Sequence, residues 1–195
     1  MEHMLRVWWL PSRCWAGRSR RMNKNATSEP ITAGVLVHRG ICLLLERGTM
    51  PTTVEIDRLV VSLTPTATSP NVNDRAFRQR IGAAIRSYFW RFALGPPWHV
   101  VTTEMAIGDG RIDVVWSDGY HYLFDEVKSG LVTQLALEGA GGRQTDRYAR
   151  LGRQHLGERF AGVRCLSLLD PTRAVLKTAP GVSQTIPVQL LAEVA

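Results

Sequence analysis

The stretch GRIDVVWSDGYHYLFDEVKSG, Gly110 to Gly130, decides the fold. Asp118-Gly119 sits near its middle, and glycine supplies the positive φ that a tight hairpin turn requires. On either side, Arg111 to Trp116 and Tyr120 to Lys128 are rich in β-branched and aromatic residues and read as the two arms of a hairpin. A second turn signal, Asp109-Gly110, joins the first arm to an earlier run, about His99 to Ile107, so the spacing predicts a three-stranded meander. Gly108-Asp109-Gly110 lacks the third glycine and the helix start of a phosphate-cradling loop, and is turn chemistry.

The unusual feature of this hairpin is its charge. Asp113, Asp125, Glu126 and Lys128 sit among apolar residues, where a charge is costly unless paired or bound to metal. Side chains alternate along a strand, so Glu126 and Lys128 share a face, while Asp125 points the other way and reads as an edge or surface acid. Asp113 shares its face with Arg111 and Val115; Ile112, Val114 and Trp116 look into the other layer. If the turn pairs the two arms, Asp113 and Glu126 converge. Two such carboxylates repel unless a cation lies between them. Mg²⁺ is the natural occupant, with Mn²⁺ as a substitute, and Glu104 on the preceding strand is a third candidate ligand. Lys128, a compact point charge, suits a role in stabilising the transition state of phosphodiester cleavage.

Upstream, NVNDRAFRQRIGAAIRSYFWRF carries Phe77, Ile81, Ala84, Ile85, Tyr88 and Phe92 at helical spacing, with Asn71 or Asn73 as N-cap and LGPP as terminator. Arg75, Arg78, Arg86 and Arg91 form its solvated face. Thr64 to Pro70 reads as a linker. Before it, TAGVLVHRGICLLLE (Thr32–Glu46) reads as two apolar strands around a turn at Arg39-Gly40, and Val54 to Leu63 as a third. Such a strand pair also opens Nudix hydrolases, but their glutamate-rich helix is missing and the chain has no Glu-Glu pair. Residues 31–63 are therefore expected to be scaffold.

Downstream, LVTQLALEG (131–139) reads as a short helix broken by GAGG, and a longer helix is expected from about Arg143 to Phe160. Gln144 and Tyr148, four apart, are neighbours on one face that Leu151 and His155 continue, with Arg143, Arg147 and Arg150 alongside as a stripe suited to a phosphate backbone. VRCLSLL and AVLKT read as closing strands; the tail from Ala179 carries no signal. Helix, strands, helix, strands make an α/β layered domain.

The whole chain, 195 residues with 45% hydrophobic content, suffices for one such domain over residues 31–195. Residues 1–30 read as a disordered basic extension: Arg6, Arg13, Arg18, Arg20, Arg21 and Lys24 face only Glu2, and a start at Met22 is the plainest reading. The net charge of +7 favours polyanionic partners such as nucleic acid. Cys14, Cys42 and Cys165 are too few and too scattered for an iron–sulfur or four-cysteine zinc site, which fits a reducing, cytoplasmic setting. No apolar run reaches the roughly 18 residues of a membrane span.

Taken together, Glu104, GRID with Asp113, FDEVKSG with Glu126-Val127-Lys128, and QTDRY with Gln144 and Tyr148 resemble the PD-(D/E)xK nucleases, in particular the RecB-like branch. The resemblance spans about residues 72–160. It implies a restriction-endonuclease-like core, a central mixed β-sheet flanked by helices, and Mg²⁺-dependent hydrolysis of DNA. It further implies Asp113, Glu126 and Glu104 as metal ligands with the Val127 carbonyl, Lys128 as electrostatic catalyst, and Gln144 and Tyr148 as positioners of substrate or lysine. Many members add a histidine or acid from the helix before the sheet. Here that helix offers Asp74 and Gln79, and His99 follows it, so the fourth ligand stays open. The alternative is a nucleic-acid-binding or assembly module on the same fold, without catalysis. DNA, single- or double-stranded, is the implied partner, with repair, mobile-element and defence complexes all open.

Overall fold

The computed structural model describes residues 29–64, 74–129, 140–168 and 173–187. The N-terminal extension apart from its last two residues, most of the linker with both N-cap candidates, the short helix expected over 131–139 and the last residues of the tail lie outside them. Three helices come first: α1 (Glu29–Leu45), α2 (Thr53–Leu63) and α3 (Asp74–Arg91). Strands β1 (His99–Ile107), β2 (Gly110–Ser117) and β3 (Tyr122–Lys128) follow, then helix α4 (Ala140–Leu156), a 3₁₀ turn (Gly157–Arg159), and strands β4 (Phe160–Ser167), β5 (Arg173–Ala179) and β6 (Val182–Pro187). The six strands form one mixed α/β sheet in sequence order, antiparallel throughout except for the parallel pair β3–β4 that α4 connects.

The expectation of three strands over residues 32–63 is overturned: this segment is α1 and α2. A short continuous apolar run fits a buried strand or a buried helix equally well. Val37, Ile41, Leu44 and Leu45 recur at helical spacing and are buried against α3. Gly40 is no turn. It sits where α1 crosses α3, and a Cβ there would stand 2.6 Å from the Ile85 side chain. Helix α2 carried a legible start signal: Thr52 and Glu55 form a capping box, each side chain bonding the other's backbone amide.

Buried side chains of α1, α2 and α3 pack on one face of the sheet, against Val114, Trp116, Val127 and Leu166. Helix α4 covers the other face through Tyr148 and Ala149 with Val115, Phe124 and Val163, and Ile112, expected in the first layer, joins this one. The meander and its two turns follow the sequence reading, with β3 starting at Tyr122 rather than Tyr120. Helix α4 begins at Ala140, through the expected glycine break, and ends at Leu156. Gly110 lets it approach, since a Cβ there would meet Arg147 and the Tyr148 ring. Among the described residues no helix is long and apolar enough to cross a membrane.

Candidate metal centre

Strands β2 and β3 pair from Ser117↔Tyr122 to Val114↔Asp125. One residue further, the Asp113 carboxylate accepts the Val127 amide at 2.6 Å, so a side chain completes the pairing where the ladder stops. Asp113 is thereby fixed beside Glu126. Across β1, the pairs Thr103↔Val114 and Met105↔Ile112 bracket Glu104 and set it opposite Asp113. Glu104 has φ of 55°, a conformation that costs an acidic residue about 1–3 kcal/mol and is stored where the surroundings enforce it. Its carboxylate pairs with the Arg111 guanidinium at 2.9 Å.

The fourth participant is one that sequence reasoning missed. His38 on α1 places Nδ1 3.2 Å from Asp113 Oδ1. One donor atom from each of His38, Glu104 and Asp113 lies within 4.8 Å of the others, a spacing a single cation can bridge. The sequence leaves the fourth ligand open, and two of the residues that region offers, Gln79 on α3 and His99 at the head of β1, are exposed and outside the trio. The signal was in the sequence, but only once residues 32–46 are read as a helix does His38 fall on the face toward the sheet.

Glu126 and Lys128 share a face, as strand alternation requires, and their side chains pair directly. Lys128 Nζ also donates to Gln144 Oε1 at 2.9 Å, and Gln144 Nε2 donates to the Tyr148 hydroxyl at 3.0 Å. That hydroxyl donates to the Arg111 carbonyl at 2.8 Å and accepts the Arg111 amide at 3.2 Å, which saturates it. Tyr148 is buried, so it anchors α4 to β2 and orients Gln144. Of the expected arginine stripe, Arg143 and Arg150 are exposed, whereas Arg147 is engaged by Asp109 at 2.7 Å and lies over the Tyr148 ring.

Asp125 corrects another expectation. It is wholly buried, not a surface acid. Arg164 of β4 grips it through Nε and a terminal nitrogen, each at 2.7 Å, while Trp116 Nε1 and the Tyr88 hydroxyl donate at 2.7 and 3.1 Å. The guanidinium also bonds the Phe92 carbonyl, tying the end of α3 to the sheet.

The electrostatics of the centre are those of a site short of positive charge. Burial, and then the Asp113 charge, push the Glu126 carboxyl up to about 7 against the pull of Lys128. Burial raises Glu104 as well, although Arg111 opposes it. Burial alone would lower His38, but the hydrogen bond and charge of Asp113, with Glu104 and Glu126, outweigh it and raise the pKa. Glu126 Oε2 is buried and without a hydrogen-bond partner. The carboxylate–imidazole trio fits a divalent cation with oxygen and nitrogen donors, while Glu126, expected as a ligand, lies outside that group of three.

A groove of about 990 Å³ runs along β1, an edge strand of the six-stranded sheet, and reaches Glu104. Trp98, Phe89, Met50 and Met105 are among the side chains that line it. No protein-family model, curated protein or solved structure matches the chain.

Proposed function

We propose that the chain is a metal-dependent nuclease that hydrolyses phosphodiester bonds in DNA on a restriction-endonuclease-like core. The order α3–β1–β2–β3–α4–β4, with β4 parallel to β3, supports that core. The observation that carries the reading is the convergence, from separate elements, of His38, Glu104 and Asp113 beside the Glu126–Lys128–Gln144 chain.

His38, Glu104 and Asp113 would hold the ion, with Glu126 and the Val127 backbone at its edge. A bound Mg²⁺ or Mn²⁺ supplies charge neutralisation at the scissile phosphate and acidifies a water. The protein's own part is positional. Gln144, itself oriented by Tyr148, and Glu126 fix the Lys128 ammonium on the face that Glu126 shares, where it stabilises negative charge developing on the phosphate. Arg143 and Arg150 on the exposed side of α4 would hold the nucleic-acid backbone by charge. The apolar groove beside β1 suits unstacked bases of a single strand, which stack on aromatic side chains.

The test is cleavage of single- and double-stranded DNA in Mg²⁺ or Mn²⁺. Lys128→Ala and Asp113→Ala should each lower the rate at least about 100-fold while circular dichroism is unchanged. Cleavage that survives both substitutions defeats the assignment. Salt-dependent DNA binding with no cleavage in any divalent metal would instead favour a nucleic-acid-binding module without catalysis.

A further inference from the structure

Among the described residues, Glu104 is the one residue other than glycine with positive φ. Such a conformation persists only where the surroundings enforce it. At the side chain, Arg111 is the neighbour that does so. It pairs with Ala106 on β1, two residues from Glu104, a diagonal that a long side chain spans. From there its Nε stands 2.9 Å from Glu104 Oε2. The Arg111 backbone is itself fixed, because the buried Tyr148 hydroxyl accepts its amide at 3.2 Å and donates to its carbonyl at 2.8 Å.

The Arg111 side chain is 56% exposed, and an exposed ion pair contributes little to stability. Stability is therefore a poor reason for the pair, and the ligand it holds is a better one. Arg111 occupies one oxygen of Glu104 and leaves the other, Oε1, which meets the weakly donating Cys42 thiol at 3.9 Å. A carboxylate gripped at one oxygen and offering the other is how outer partners orient metal ligands. Two effects of Arg111 on an ion oppose each other. Its positive charge repels the ion, but water screens so exposed a charge. Its contact fixes the direction of a ligand carried on a strained backbone, and this second effect wins.

We infer that Arg111 is a further positioning residue of the metal centre, aiming the Glu104 carboxylate at an ion shared with His38 and Asp113. The inference rests on the metal-centre reading of that trio. It also gives the Tyr148 hydroxyl a second task. The same buried group that orients Gln144, and through it Lys128, fixes the backbone of Arg111, so one hydroxyl sets both the ammonium and a metal ligand.

Titration of the metal-free full-length chain with Mn²⁺, the free ion counted by electron paramagnetic resonance, tests this without reference to cleavage. Arg111→Met keeps the reach of the side chain without its charge, and should weaken Mn²⁺ binding about 10–100-fold with circular dichroism unchanged. Arg111→Lys should recover most of that loss, since a single-point contact to Glu104 suits an ammonium. In a Glu104→Gln background, Arg111→Met should add nothing, because it acts through that carboxylate. Unchanged or tighter Mn²⁺ binding in Arg111→Met, or the same loss in the Glu104→Gln background, would overturn the inference; tighter binding would make Arg111 a competitor for the place of the ion. Arg111→Gln serves the same comparison where Arg111→Met does not fold. If the unmutated chain takes up no Mn²⁺, the metal-centre reading falls and this inference with it. One Mn²⁺ bound equally by both chains sinks the role of Arg111 alone.

Discussion

Asp125 and Glu126 are adjacent on β3, both buried, and face opposite layers of the sheet. Asp125 has each carboxylate oxygen bonded, by Arg164, Trp116 and Tyr88. Glu126 has one oxygen on Lys128 and the other on nothing. The same chemical group thus does two jobs, and the completeness of its partners tells them apart. A buried acid with both oxygens bonded fastens elements together; here it locks β4 and the end of α3 to β3. A buried acid left half-satisfied, with its pKa driven up, is the candidate for a binding role.

The largest expected effect breaks the first half of that contrast. Asp125→Ala strands the Arg164 guanidinium, whose charge burial disfavours and Asp125 sustains, and should cost about 3–5 kcal/mol in denaturant unfolding. The double replacement Asp125→Leu with Arg164→Met should recover most of that loss. If the double variant is as unstable as the single one, the stranded charge is not the source of the cost.

Glu126→Gln tests the other half. Stability should change by less than about 1 kcal/mol, while Mg²⁺-dependent cleavage falls by about 100–1000-fold. A stability loss equal to that of Asp125→Ala would erase the distinction between the two faces.

A smaller effect separates them by pH. Glu126 binds its proton up to about 7 when folded, against an ordinary value of 4.5, and Glu104 and His38 shift in the same direction. Raised pKa values mean that the folded chain holds more protons than the unfolded one, so stability falls as pH rises through that window. Metal-free protein should therefore melt at lower temperature near pH ~7.5 than near pH ~5. Glu126→Gln should flatten the dependence, and Mn²⁺ should oppose it by favouring the ionised acids. A melting temperature that climbs over this range would contradict the site's electrostatics.

The smallest effect concerns the lysine. Gln144→Ala removes one of the two side chains that Lys128 Nζ contacts among the described residues and should lower cleavage about 10-fold with little change in DNA affinity, a kcat loss rather than a KM rise. An equal loss of affinity would make Gln144 a substrate contact instead of a positioning residue.

Much of the centre is legible in the amino-acid sequence. Hairpin turns at Asp109-Gly110 and Asp118-Gly119 set the meander, and the two-residue strand period placed Glu126 with Lys128 and turned Asp125 away. Helical spacing put Gln144 beside Tyr148. These readings succeed because they depend on the backbone period alone. His38 escaped because its segment is apolar on too many sides for periodicity to separate helix from strand, although the Thr52–Glu55 capping box pointed to helix in the next element.

Local sequence, then, determined which side chains share a face of β3 and α4, but not of β2, where Ile112 joins Val115 in the layer opposite Val114 and Trp116. Tertiary structure alone decided what meets those faces: Arg164 reaching Asp125 through the parallel β3–β4 register, and α1 carrying His38 and Cys42 to the end of the sheet. The physical reason is range. Backbone periods act over a few residues, whereas partners for buried charges are chosen by the packing of elements far apart in the chain, where only the free energy of the assembled core discriminates among them.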